Sequence, residues 1–454
     1  MVLNCILGAL AGLSLVLLLW QWVAARCFPL HRRSAELRFG AGNSVEPNLP
    51  NGSSAFPSHG VTLLKPLKGA DEFTEMCLRS WLAQEYDGAV QALFGVATAD
   101  DPAGAVVQKL LAEFPKADAQ LVICPEQLGA NAKVSTLIQL ERLAKHDLIC
   151  VSDADVRVPG DFLAEAVQPL TPALSPSDGE RETEARPGGA GLVNCFYRLA
   201  NPTTLAMQCE AVAINADFWS QVLQSCSLKP MNFALGAAMV TWRAEIANIG
   251  GFAAIKDCLA DDYQLGNRIV RGGSGTGVSP VSSVTDSRAH GRDARATTKR
   301  IELCPVVVEC WDAPMDWVAM WKHQLRWART IRVCQPGPYF FSILSNPTFW
   351  AVLWAAVSFN GPALIFLGVA LVVRWVVTAD LQRRLAGEQF KIQNSKFKME
   401  CPPPHVSGYG NGFWLAPVKD ILQVAVWALA FAGNTIEWRG RRMKLRRDGT
   451  LVPA

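Results

Sequence analysis

Apolar and polar positions follow three regimes along this chain. The first is a nearly unbroken apolar run from Val2 to Ala25, with no Asp, Glu, Lys or Arg. It is long enough to cross a bilayer. No basic segment precedes it, while Arg26, His31, Arg32 and Arg33 come directly after, so it reads as a retained anchor rather than a cleaved leader. The basic flank places the downstream chain in the cytosol. Residues 26–59 are rich in Gly, Pro, Ser and Asn beyond the basic cluster and read as a linker.

The second regime starts near residue 60. Short apolar runs at Val61–Leu64, Ala89–Ala97, Ala119–Cys124 and Asp147–Ser152 predict strands, and Glu72–Gln84, Pro102–Phe114 and Val134–Ala144 predict helices between them. Strands alternating with helices imply a mostly parallel sheet flanked by helices, of the nucleotide-binding α/β type, over residues 60–335. Two polar, Pro/Gly/Ser-rich stretches, at about 171–189 and 272–300, break the rhythm and read as insertions in surface loops; 391–404 is a candidate third.

The third regime is apolar again, over 343–434. Phe349–Thr378 is interrupted by Asn360-Gly361-Pro362, so it is either one kinked span or a helical hairpin, with Arg374 able to snorkel. Phe413–Ala432 contains Lys419-Asp420, and reads as a span with a polar patch or as an interfacial helix. Residues 435–454 read as a basic cytosolic tail. The expected protein is therefore an integral, multi-pass membrane protein with its soluble domain facing the cytosol.

Composition supports this. Of 454 residues, 50% are hydrophobic and only 18% charged, and there are 15 Trp, a residue that favours membrane interfaces. The net charge of +3 argues against a nucleic-acid partner, and the basic stretch near 300 lacks interleaved aromatics. Thirteen Cys, scattered without metal-ligand spacing, fit buried thiols in a reducing compartment.

The candidate chemistry lies in four motifs. Ser152-Asp153-Ala154-Asp155 ends a predicted buried strand. Two carboxylates there suit a hard divalent cation, Mn²⁺ or Mg²⁺, held together with substrate phosphates. A bare D-x-D also occurs in many solvated turns; the preceding strand is what raises its weight. Asp261-Asp262 opens a helical segment, where an acidic pair either caps the helix or supplies a general base, with Asp262 as the candidate. His323-Gln324-Leu325-Arg326-Trp327 sets polar and aromatic groups within little more than one turn, near the membrane segments; alone it also fits an interfacial helix. Asp101-Pro102 is an N-cap that could also accept a hydrogen bond from a base or ribose, and Lys133 precedes a helix where an ammonium could meet a phosphate.

In this order, between membrane segments, the motifs resemble the ceramide glucosyltransferase family, including its bacterial hopanoid-associated relatives. The resemblance is carried by Leu64-Lys65-Pro66-Leu67-Lys68-Gly69, Asp100-Asp101-Pro102, Asn131-Ala132-Lys133-Val134, Ser152 to Val158, Ala260-Asp261-Asp262-Tyr263 and His323 to Trp327. It implies a GT-A catalytic domain, a UDP-sugar donor, a divalent cation and a membrane-lipid acceptor. By resemblance Asp101 contacts the nucleotide, Asp153 serves metal and diphosphate, Asp262 is the catalytic base, and Arg326 and Trp327 are the RW pair of the family pattern. His323 stands where that pattern has Gln or Arg, which makes Gln324 a second candidate for holding the diphosphate. The implied reaction is inverting transfer of glucose or N-acetylglucosamine to a lipid hydroxyl, of a ceramide first or a hopanoid second. A processive polysaccharide synthase and a disabled lipid- or nucleotide-binding protein are the competing readings.

Overall fold

The computed structural model describes residues 1–30, 59–171, 189–272, 299–387 and 412–454, apart from Arg439 and Gly440. Most of the expected linker, nearly all of both insertions and the 391–404 stretch lie outside the described residues.

After α1 (Val2–Cys27), the sheet region opens with β1 (Val61–Pro66), α2 (Thr74–Leu82), β2 (Val90–Val96), α3 (Pro102–Glu113), β3 (Asp118–Ile123), α4 (Ala132–Glu141) and β4 (Leu148–Ser152). β1 pairs in parallel with β2 and β4, and β2 with β3, so the C-terminal ends of these strands share one edge. The strand β4, Leu-Ile-Cys-Val-Ser, is buried at every position, as expected for a strand covered on both faces. Trp81 of α2, 1% exposed, packs edge-on against Phe162 and donates to the Val156 carbonyl at 2.9 Å. Truncating it to Ala would cost about 3–5 kcal/mol.

The second half breaks the parallel rhythm. It comprises β5 (Val156–Arg157), α5 (Phe162–Val167), β6 (Ala190–Leu199), α6 (Leu205–Val212), a π-helical segment (Ala213–Phe218), α7 (Trp219–Leu228), β7 (Ala238–Trp242), α8 (Arg243–Asn248), α9 (Asp261–Val270) and β8 (Arg300–Cys310). The sheet has eight strands in the order β3-β2-β1-β4-β7-β6-β8-β5. β7 runs antiparallel to both β4 and β6, and β5 antiparallel to β8, whereas β6 and β8 are parallel. The sheet is therefore mixed.

Next come α10 (Trp317–Cys334), α11 (Pro336–Phe341), α12 (Pro347–Ser358), α13 (Gly361–Ala386) and α14 (Ala416–Phe431). Among the described residues, three helical stretches are long and apolar enough to cross a membrane: Val2–Cys27, Gly361–Ala386 and Phe413–Phe431. A fourth crossing arises if Pro336–Ser345 and Pro347–Ser358, bent by 56°, form one span. The Asn360-Gly361-Pro362 break separates α12 from α13 as a helical hairpin: Phe359 turns left-handed at φ 40°, and the Asn360 side chain caps α13 by accepting from Ala363 N.

Arg374 does not snorkel. It is 2% exposed, and its guanidinium donates to both carboxylate oxygens of Asp217 (2.8 and 2.9 Å) and to both of Asp420 (2.8 and 2.9 Å). Two buried acids facing it make the inward position better than the interface. Lys419 joins by donating to Asp217 at 2.6 Å, so the Lys419-Asp420 pair of α14 faces inward.

The C-terminal segment is also structured rather than a simple basic tail. β9 (Thr435–Trp438), β10 (Arg441–Leu445) and β11 (Leu451–Pro453) form an antiparallel sheet. Alternation within Arg-Arg-Met-Lys-Leu sends Leu445 inward, where it packs with Leu259, Ile436 and Leu451.

Candidate active site

The site is built on the C-terminal edge of β1, β2 and β4, where open α/β sheets place their ligands. Asp153 leaves β4 and donates its backbone N–H to the Ala237 carbonyl at 3.2 Å, at the start of β7. Its carboxylate takes an ion pair from Lys133 Nζ at 2.7 Å. The same ammonium reaches Asp261 at 3.1 Å. Burial alone would lower the Lys133 pKa, but Asp153 and Asp261 outweigh it and the net shift is upward, so the lysine stays charged. Lys133 therefore ties the end of β4 to the start of α9.

Asp262 lies beside this pair. Its carboxyl is pushed up to about 7, first by burial and then by Asp261, against the lowering influence of Lys133. One oxygen accepts from the Tyr263 N–H at 2.7 Å. Over the other lies Gly236, at φ +77°, where an added Cβ would stand 2.5 Å from Asp262 Oδ2. Only glycine fits both the backbone and the space.

Five hydrogen bonds hold this helix start in place. Asn131 caps α4 and donates to the Cys258 carbonyl at 2.9 Å. Tyr263 donates to the Cys334 carbonyl at the end of α10, at 3.0 Å, and accepts from Gln335 at 2.9 Å. The C-terminal sheet grips the preceding loop: Leu259 N–H donates to Gly449 O at 3.1 Å and Leu451 N–H to Asp257 O at 2.7 Å.

Asp155 carries the second carboxyl of the D-x-D segment, raised to about 7 by burial, then by Asp153 and Asp312. Beneath it, Lys65 of β1 is fully buried, donating to Ser152 Oγ at 3.2 Å and to the Asp153 carbonyl; burial lowers its pKa to about 8. The crowding of Asp153 and Asp155 is the kind a divalent cation relieves, and two carboxylates completed by phosphate oxygens suit a hard ion. Among the described residues, no cluster of three His, Cys, Asp or Glu could hold a metal ion unaided.

Asp101 sits at the mouth of the next strand. Its Oδ1 accepts from Ala103 N at 3.0 Å, capping α3, and from Gly69 N at 2.9 Å. Its other oxygen carries neither of these bonds.

The α10 motif forms a second group. Glu210 of α6, 2% exposed, takes His323 at 2.6 Å and Gln324 at 3.1 Å on one oxygen. Trp327 packs against His323 (ring centroids 4.7 Å) and Phe218 (6.3 Å), and Phe218 against Tyr197 (5.3 Å). Tyr197 lies close enough to Asp262, Asp153 and Asp155 to feel their charge, so an aromatic row leads from the carboxylates to α10. Sequence reading missed Glu210, Tyr197 and the role of Lys65. Glu210 is signalled only by being the one acid in a mostly apolar helix, and Lys65 only by its place in an apolar strand.

These features place a group of carboxylates at the C-terminal edge of an α/β sheet that is joined to apolar helices towards both ends of the chain. The model of glycosyl transferase family 21 matches residues 42–290 and 279–451, and the chain belongs to that family. The GT-A class with flanking apolar helices, expected from sequence, is the class this sheet presents. Similar curated proteins include a ceramide glucosyltransferase of Candida albicans, 33% identical over 129 residues that span 26% of this chain and 24% of that protein. Another, from Komagataella phaffii, is 28% identical over 144 residues, 31% of this chain and 28% of that one. The chain thus matches about a quarter of the length of these relatives. Among solved structures, a mannosyltransferase of Pyrobaculum calidifontis in complex with GDP-Man and Mn²⁺ is 15% identical, with 93% of this chain and 98% of that one covered, at a TM-score of 0.44.

Proposed function

We propose that this protein is an inverting glycosyltransferase that moves a hexose, glucose or N-acetylglucosamine, from a UDP-sugar to the hydroxyl of a membrane lipid. A ceramide-type acceptor is the first choice and a hopanoid the second. Family membership and the curated relatives, named as ceramide glucosyltransferases, support the class. The observation that carries the mechanism is the Asp262 carboxyl: adjacent to the Lys133–Asp153 pair, held by Gly236 and Tyr263, and half-ionised near pH 7.

In this reading the acceptor O–H gives its proton to Asp262 as its oxygen bonds to the anomeric carbon. The bond from that carbon to the diphosphate breaks on the opposite face, and UDP leaves with the electron pair. Asp153 and Asp155 would hold a divalent cation, Mn²⁺ or Mg²⁺, which when bound offsets charge on the departing diphosphate. Lys133 fixes Asp153 relative to the start of α9, Asp101 takes the nucleotide, and Trp327 with Arg326 lines the approach from the membrane. The catalytic domain faces the cytosol, where UDP-sugars are available.

The test is transfer of radiolabelled sugar from UDP-glucose and from UDP-N-acetylglucosamine, with ceramide and a polyhydroxylated hopanoid as acceptors. Labelled lipid that disappears with EDTA and in Asp153→Ala supports the reading. Label in insoluble polymer, or no product from any pair, refutes it.

A further inference from the structure

The end of α14 gathers cations that have no acid to meet them. Arg329 and Arg332 of α10 reach the link between α14 and β9, where Arg329 donates to the Thr435 carbonyl and Arg332 to the Asn434 side chain. Both acceptors are neutral. The Nε atoms of both guanidinium groups are buried and without a hydrogen-bond partner. Burial first, and then the charge of Arg332, lower the Arg329 pKa, as two crowded cations should do to one another.

Strand register brings more positive charge to the same level. Lys444 of β10 stands opposite Thr435, and the Leu445 N–H donates to the Asn434 carbonyl at 2.8 Å. The chain therefore returns to the end of α14 at Lys444, and Lys444, Arg446 and Arg447 are exposed there. Among the described residues these three form no ion pair. Two acids lie near. Glu437 is taken by Lys322 at 3.0 Å, and Asp448 accepts from Thr450 while lying close enough to Arg446 to feel its charge. The cations outnumber them.

The aromatic residues mark the depth of this cluster. Phe413–Phe431 is a candidate membrane span. At its end Phe431 packs against Trp427 (ring centroids 5.2 Å) and Phe340 (6.4 Å), with Phe340 and Phe431 exposed and the Arg332 guanidinium 5.7 Å from the Phe431 ring. Aromatic side chains beside a span sit at the depth of the lipid head groups. Thr435, where β9 starts, comes shortly after.

We propose that this basic cluster binds the head group of an anionic phospholipid in the leaflet beside the sheet domain, and that the bound lipid steadies the loop before Asp262. The proposal needs α14 to meet a bilayer and does not depend on the transfer reaction. Clusters of Lys and Arg next to a span attract anionic lipid. A phosphate among Arg332, Lys444 and Arg447 replaces their repulsion by charge-assisted hydrogen bonds. The β10–β11 turn carries the effect onward. Gly449 accepts from Leu259, Leu451 donates to Asp257, and Cys258 bridges Thr450. With β10 held at the membrane, the turn and the loop it grips open less often.

The test is hydrogen exchange of the full-length protein in phosphatidylcholine nanodiscs with and without phosphatidylglycerol. Peptides covering 257–262 and 444–451 should exchange about fivefold or more slowly when phosphatidylglycerol is present, and high salt should weaken the effect. The double variant Lys444→Gln with Arg447→Gln changes exposed residues only; it should exchange as the parent does in phosphatidylcholine and lose the response to phosphatidylglycerol. Arg332→Gln should lose the response too. Equal exchange of the parent in the two discs overturns the proposal, as does a full response in the double variant. Full protection by inorganic phosphate in phosphatidylcholine discs also overturns it, because the ligand would then not be a lipid. Should Arg332→Gln fail to fold, the double variant still decides. A response in protein that transfers no sugar would refute the transferase reading and support this inference; transfer without any response would do the reverse.

Discussion

Lys133 and Asp153 are joined at 2.7 Å by a pair whose ammonium is almost wholly buried, and that ammonium also reaches Asp261. One lysine is thus the cation for carboxylates that arrive on two different elements, β4 and α9. Lys133→Met would leave Asp153, Asp261 and Asp262 facing one another. Asp153 keeps solvent contact, so the loss comes mainly from the buried Lys133–Asp261 pair and is at most about 3–5 kcal/mol. Thermal unfolding in detergent should show the loss, with partial recovery on adding Mn²⁺. The Asp262 pKa should also rise further, because the cation that lowers it is gone.

In the proposed mechanism, Asp262 as the base sets the pH dependence of transfer. Its folded pKa of about 7 lies well above the ordinary Asp value of about 3.9. Below about pH 7 the base is protonated, so kcat/KM should fall roughly tenfold per pH unit on the acid side. Asp262→Asn should remove at least about 10²-fold of the rate while UDP still binds. The stability effect has the opposite sign. A raised folded pKa means that ionising Asp262 destabilises the fold as pH climbs from about 4 through 7. The Asn variant should therefore gain stability over the parent above pH 7 and none below pH 4. A pH series of melting temperatures for both proteins checks this.

Gly236 combines a left-handed backbone with close approach to the proposed base. At φ +77°, with Asp262 Oδ2 2.5 Å from a would-be Cβ, Gly236→Ala should displace the base. A displacement near 1 Å costs about 10²-fold in rate. The expected signature is a fall in kcat with donor affinity nearly unchanged, measured by steady-state kinetics and UDP titration.

Much of this architecture is legible in the sequence, and the reasons are specific. The run Leu148–Ser152 is apolar because its strand is covered on both faces, so both the strand and the carboxylates at its end stand out. Asp101 and Asn131 announce helices because a cap must be a side-chain acceptor. Arg374 misleads because its partners, Asp217 and Asp420, lie 157 and 46 residues away. Glu210 is hidden for the same reason, since its meaning depends on His323 and Gln324 across the fold. The terminal sheet is concealed by charge: Arg441, Arg442 and Lys444 dominate a strand of which Leu445 is buried.

Arg374 itself gives a prediction independent of chemistry. Arg374→Met strands two buried carboxylates, Asp217 and Asp420, with only Lys419 between them. A loss of about 3–5 kcal/mol is expected. Detergent melting curves should show it with or without UDP-sugar, unlike the loss from Lys133→Met, which Mn²⁺ should partly restore.

The grip of Gly449 and Leu451 on the loop before Asp262 has a consequence for biosynthesis. Residues 257–262 are translated nearly two hundred residues before the strand that secures them. Between the two come the candidate membrane helices Gly361–Ala386 and Phe413–Phe431. A nascent chain can fold its sheet early, yet the loop before Asp262 is secured only after those helices have been made. If this loop carries the proposed base, full activity comes only after synthesis of the candidate membrane helices.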